Sequence, residues 1–183
     1  MKKFELTSEF VTFLGKKLFR IKALISFGNV EEGELGGYVE KEENLSNDGD
    51  AWVFGDARVF GDARVSGNAR VSGNAEVFGD ARVFGDARVF GDAEVFGDAE
   101  VFGDAEVSGN ADYATVQGFG SEYRTTTFFR TKAGDIGVRC GCFYGTLEEF
   151  RAKVKETHRE TKTAKEYLMV ADLMEFRFSK EEV

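Results

Sequence analysis

The chain has 183 residues, with 24 basic and 33 acidic side chains and a formal charge of -9. That length suits one or two domains with a real core. The acidic balance excludes generic binding to nucleic acid or to anionic membranes, which needs a basic face.

Charge interrupts the opening MKKFELTSEFVTF, so neither a signal peptide nor a span of about 18 apolar residues is expected. A cytoplasmic protein is expected, with its two cysteines, Cys140 and Cys142, as thiols rather than a disulfide framework. Residues 10–27 predict two strands about a Gly15-Lys-Lys turn, with Phe19, Ile21, Ala23 and Ile25 on one face. A solenoid end exposes unpaired backbone, and this hairpin is the expected N-terminal cap. The stretch from Gly36 to Asp50 predicts a degenerate first coil.

From Ala51 to Asn110 ten hexads follow without error, each fitting A-x-V-[FS]-G-[DN]. Ala and Val are two apart and point to one side of an extended segment, while the residue between them points to the other. Gly adopts positive φ cheaply, and Asp or Asn can bond its local backbone, so Gly-Asp reads as a corner. A hairpin meander would not hold one phase for 60 residues, whereas a parallel solenoid holds it naturally.

These hexads resemble the hexapeptide-repeat left-handed β-helix family. The resemblance implies three hexads per 18-residue triangular coil and a left hand, so the ten hexads make just over three coils, rising about 4.8 Å each. On that register residues 18 apart stack. One outward column is Phe54, Ser72, Phe90, Ser108; a second is Phe60, Phe78, Phe96; a third is Ser66, Phe84, Phe102. The Phe side chains are expected outside. They either stabilise neighbouring coils by stacking or are covered by a second subunit or by the C-terminal segment. The Ala–Val spacer changes from Arg to Glu, which predicts the pairs Arg58–Glu76, Arg82–Glu100 and Arg88–Glu106 and sets Trp52 over Arg70. Asp62, Asp80 and Asp98 form a further column. It could hold a cation between coils, but each carboxylate is expected to bond its own turn.

After Tyr113 the repeat stops. Thr125–Arg130 and Ile136–Phe143 predict a strand pair around Lys132–Asp135. Thr146-Leu-Glu-Glu149 predicts a capping box opening a helix with Leu147, Phe150 and Val154 on one stripe. Thr163-Ala-Lys-Glu166 predicts a second helix, with Tyr167, Leu168, Ala171 and Met174. The expected fold is mainly β: a parallel β-helix with an N-terminal β-hairpin cap and a small C-terminal ββαα module. Its expected divisions are 1–50 for cap and first coil, 51–116 for the repeat and 117–183 for the module.

Arg20 to Val53, followed by the V-[FS]-G-[DN]-A repeats, is similar to uncharacterised bacterial and phage hexapeptide-repeat proteins, some labelled as acetyltransferases. The segment CGCFYGTLEEF is similar to a C-terminal piece of phage and mobile-element proteins. Acyltransferases of this fold use a His as general base, and here the only histidine is His158, on a polar helix. Carbonic anhydrases of this fold need three His ligands for zinc. Cys140 and Cys142 with at most His158 fall short of a closed zinc site and are expected as buried thiols. The glycines sit at hexad corners rather than in a phosphate loop. No metal, cofactor or catalytic residue is therefore expected. The expectation is a non-catalytic binding or assembly protein, homo-oligomeric, using the Phe and Asp columns on a basic partner protein or a small signalling ligand. The phage resemblance implies host counter-defence in the host cytoplasm; the alternative is a hexapeptide-repeat acyltransferase.

Overall fold

A computed structural model describes residues 2–120 and 122–179. The chain forms two compact units, Met1–Asn110 and Ala111–Val183. Among the described residues no helix is long and apolar enough to cross a membrane.

The first unit opens with a hairpin of β1 (Phe4–Phe13) and β2 (Lys16–Ala23), followed by β3 (Leu35–Val39). The hairpin turns at Leu14 and Gly15, both at positive φ (48° and 77°), which suits the right-handed twist of the flanking strands. Ile21 and Ala23 of β2 are buried as expected, but Leu18 is buried in place of Phe19, and Ile25 lies beyond the strand, half-buried. A register shift between Arg20 and Lys22 changes the phase, so Phe19 turns outward against Phe10, at 6.1 Å.

Ten two-residue strands, β4 to β13, then follow, one per hexad: Trp52–Val53, Arg58–Val59, Arg64–Val65, Arg70–Val71, Glu76–Val77, Arg82–Val83, Arg88–Val89, Glu94–Val95, Glu100–Val101 and Glu106–Val107. They stack in parallel as three sheets, β3-β5-β8-β11, β4-β7-β10-β13 and β6-β9-β12, giving a β-solenoid of about four coils. The hairpin continues the first of these sheets past β3. The pairing is regular because residues 2, 4 and 6 of a hexad donate their N–H groups to carbonyls 17 residues on. Examples are Arg70 to Ala87 (2.9 Å), Ser72 to Val89 (2.9 Å) and Asn74 to Gly91 (2.9 Å). Every hexad Ala and Val is fully buried. Each Val contributes about 1.5–3 kcal/mol of burial, enough to hold strands too short to persist alone.

The degenerate first coil is present, with two extra residues. Leu45 bridges Val65, whereas the next sheet pairs Trp52 with Arg70. Lys3 fills the space beside this insertion. It is 2 % exposed, donates to the carbonyls of Gly49 (3.2 Å) and Ala51 (2.9 Å), and lies over the Phe27 ring. Burial pushes its pKa down to about 8, against the pull of Asp50 and Asp48. Below that value native and unfolded states are both protonated. Between about 8 and the ordinary 10.5 only the unfolded state keeps the proton, so this lysine makes stability rise with pH across that window. Denaturant titrations at pH 7.5 and 9.5 should show this rise in the native chain. It should be absent in Lys3→Met.

The second unit carries β14 (Tyr113–Val116), β15 (Thr126–Arg130), β16 (Ile136–Cys140), β17 (Phe143–Thr146), α1 (Leu147–His158) and α2 (Lys162–Phe178). The expected strand pair is thus a four-stranded antiparallel sheet, β14-β15-β16-β17. Tyr113–Val116 pairs with Thr126–Phe129, which draws these residues into the second unit. That division lies at 110/111, against the expected 116/117. Thr146 caps α1 as expected: its Oγ1 accepts from Glu149 N–H (3.2 Å), and the Glu149 carboxylate accepts from Thr146 N–H (2.8 Å). The second cap is Thr161, not Thr163, because the Thr161 hydroxyl accepts from Ala164 N–H. Phe128, Val138, Phe150, Tyr167, Ala171 and Met174 belong to one core of sheet and helices, and Arg151 ties α1 to α2 through Asp172 and Glu175, both at 2.7 Å.

Candidate functional site

Inward Val fixes the next side chain at the corner of the coil, so the fourth hexad position forms vertical columns. Phe60 stacks on Phe78 (5.0 Å, 3°) and Phe78 on Phe96 (5.4 Å, 15°). Phe84 meets Phe102 at 4.4 Å and 31°. All three contacts follow the 18-residue register. Exposure rises along the longer ladder: Phe60 is 4 % exposed, Phe78 half-buried and Phe96 47 % exposed. The expectation that Phe60 lies outside is corrected here. Phe13 sits edge-on to it at 5.8 Å, and Leu18, Val11 and Tyr38 complete a small cluster around it. The N-terminal hairpin makes this cover, because it extends the sheet that carries Phe60's own strand.

The spacer charges pair as predicted, Arg58–Glu76 at 2.9 Å, Arg82–Glu100 at 3.7 Å and Arg88–Glu106 at 3.6 Å. The same register also sets like charges together: Arg70 by Arg88 and Arg64 by Arg82. Like charges directly opposite are destabilising. Arg70 and Arg88, with Phe54, Ser72, Phe90, Glu106 and Asn29, line a shallow cleft of about 510 Å³. Trp52 is in register with Arg70 but makes its ring contacts elsewhere. It is fully buried, edge-on to Phe4 (6.3 Å) and Phe27 (5.4 Å), since the N-terminal segment covers its outward face.

Asp62 does not bond its own turn as expected. Its carboxylate accepts from Lys41 Nζ at 2.7 Å, and that hydrogen bond holds its pKa below the usual range. Asp80 and Asp98 are exposed at the corners. Among the described residues no three His, Cys, Asp or Glu side chains gather as a metal site. The corner contacts missed in the sequence are Asn on Asp: Asn68 to Asp86 (3.0 Å) and Asn74 to Asp92 (2.9 Å), one coil apart. The alternation of GN with GD hexads 18 residues apart is the signal that could have found them.

In the second unit the two cysteines do not share a strand face. Gly141, at φ 58°, turns the chain between β16 and β17, so Cys142 is exposed and Cys140 half-buried. Cys140 accepts from the Thr126 hydroxyl (3.2 Å) and lies 4.0 Å from the Tyr167 hydroxyl. Burial pushes the Tyr167 phenol up to about 12. His158, expected to be solvated, is half-buried against the Tyr167 ring at 5.7 Å. A second apolar stripe on α2 also escaped the sequence reading. Met169, Leu173 and Phe176 are 71 %, 57 % and 79 % exposed, and their i, i+4, i+7 spacing is its signal.

Residues 63–77, which span hexads of the second and third coils, match a family model described as the YdcK beta solenoid repeat. No curated protein matches the chain.

Proposed function

We propose that this β-solenoid repeat protein is a non-catalytic binding and assembly protein whose aromatic ladder, at its open Phe78–Phe96 end, is buried by a protein surface. The observation that carries this reading is the gradient along the ladder. Its first rung is sealed by the chain's own aromatics, and the same apolar stripe continues outward to Phe96, 47 % exposed. The ten hexads carry seven Asp, four Glu and five Arg, a net of -6. An acidic rod with an aromatic anchor fits a basic protein surface. The resemblance to phage repeat proteins supports a target in host defence or nucleic-acid processing, and the host cytoplasm as the compartment. Self-association as a dimer or trimer is part of the proposal, because a second copy offers the same stripe.

Sedimentation of the full chain at micromolar concentration, with and without Phe78→Ser/Phe96→Ser, tests it. The native chain should run as an oligomer. If the variant keeps its melting transition and becomes monomeric, the ladder belongs to a sister subunit. If it stays oligomeric and no longer binds its target, the ladder belongs to that target. A native monomer overturns the assembly, and a variant that keeps both oligomer and binding overturns the role of the ladder. The alternative, an acyltransferase, is favoured instead if acetyl-coenzyme A raises the melting temperature of the native chain.

A further inference from the structure

The column Phe54–Ser72–Phe90 is the ladder with its middle rung missing. In Phe60–Phe78–Phe96 three rings stack at successive separations of 5.0 and 5.4 Å, so two coils span one ring held between two others. Two coils also separate Phe54 from Phe90, about 9.6 Å at the usual strand spacing. Between them stands Ser72, which has a hydroxyl where Phe78 has its ring. The opening is the cleft of about 510 Å³ that Phe54, Ser72 and Phe90 line together.

The cleft is also lined by two arginines against one acid, Glu106, a net positive charge where most of the solenoid is acidic. Arg70 and Arg88 enter it from adjacent coils, in register. Arg70 has Trp52 on one side and Arg88 on the other, neither an acid. Arg88 shares its charge with Glu106 at the longer distance of 3.6 Å. Two neighbouring guanidiniums repel unless an anion lies between them, and the planar fork suits phosphate and carboxylate.

We propose that this cleft binds a flat aromatic ring carrying a phosphate or carboxylate, the ring taking the place of the absent rung and the anion lying on Arg70 and Arg88. Nucleotides and simple aryl acids share that chemistry. The site lies in a different column from the Phe60 ladder and stands independently of the binding role proposed for it.

Calorimetric titration of the full chain with phenyl phosphate, benzoate, adenosine 5′-monophosphate and inorganic phosphate tests the proposal. Phenyl phosphate should bind at least about tenfold more tightly than inorganic phosphate, the gain from stacking a ring between aromatic faces. Ser72→Phe supplies the missing rung. It should raise the melting temperature by about 2–4 °C and abolish binding of every aryl ligand. Arg70→Gln should weaken binding at least about tenfold and lessen its salt dependence. Tighter binding of the nucleotide than of phenyl phosphate identifies a nucleotide as the occupant; the reverse order identifies a small aryl anion. The proposal is overturned if no aryl anion binds, if inorganic phosphate binds as well as phenyl phosphate, or if Ser72→Phe keeps the ligand. Phe78→Ser/Phe96→Ser should leave this binding unchanged, which separates failure here from failure of the ladder.

Discussion

Replacing Trp52 by Ala should cost the first unit about 3–5 kcal/mol, the range for deleting a fully buried aromatic side chain. Trp52 is 0 % exposed and is the common partner of Phe4 and Phe27. It therefore joins β1 and the segment after β2 to the first regular coil. Its removal leaves a cavity beside Lys3, whose buried ammonium needs the surrounding packing to keep its two carbonyl acceptors in place. The indole Nε1 has no hydrogen-bond partner in its buried position. Trp52→Phe keeps much of the ring and removes that unpaired donor, which offsets part of the lost area. Urea denaturation of both variants checks this. A Trp52→Phe variant as unstable as Trp52→Ala would show that the aromatic contacts do not carry the effect.

Gly73→Ala should be the second costly change, and Gly97→Ala should be distinctly milder. Both glycines have positive φ, 71° and 65°, and an L-residue there costs about 1–2 kcal/mol. They differ in what lies above them. A Cβ at Gly73 would come within 2.9 Å of the Gly91 carbonyl oxygen and 3.0 Å of its nitrogen, while at Gly97 nothing lies within 4 Å. Backbone cannot move aside as a side-chain end can, so Gly73→Ala must push two coils apart and strain the bonds from Ser72 to Val89 and Asn74 to Gly91. An expected loss of more than about 2 kcal/mol at Gly73, against about 1–2 at Gly97, is read from the shift in urea midpoint. Equal losses would assign the whole cost to backbone conformation and none to stacking.

The Gly73 prediction rests on regularity that the hexads display openly. Ala and Val two apart, with Gly-Asp after them, leave one side of each strand small and apolar and allow little besides a stacked coil. The column register then follows, and with it Phe60 on Phe78 and Arg58 beside Glu76. What the hexads do not reveal is which column another segment covers. Phe60 and Phe96 have identical neighbours in sequence, A-x-V-F-G-D, yet one is buried and the other exposed. The difference arises from the hairpin, whose inward phase is reset by a bulge that its alternation does not announce. Trp52 stands in register with Arg70 as expected, but its burial is hidden in the sequence for the same reason: local spacing gives the direction of a side chain, not the distant residues waiting there. In the second unit the difficulty was ambiguity between near-equal choices. Thr161 and Thr163 both precede helix-forming residues, and Gly141 lies between two cysteines that an unbroken strand would have aligned.

The identity of the hexads has a consequence for how such a chain varies over generations. Near-identical units invite misaligned recombination between copies, which gains or loses whole units rather than scattered residues. Gain or loss of three hexads changes the number of coils and returns every column to its place. Gain or loss of one hexad keeps every Ala and Val inward but turns the later part of the surface by a third of a revolution. A different corner column then follows Phe60 beneath the hairpin, and Arg, Glu, Phe and Ser meet new neighbours in register. A single copying error can thus present a rearranged exterior on an unchanged core, without passing through an unfolded intermediate sequence. Selection by a changing binding partner would act on those rearrangements directly.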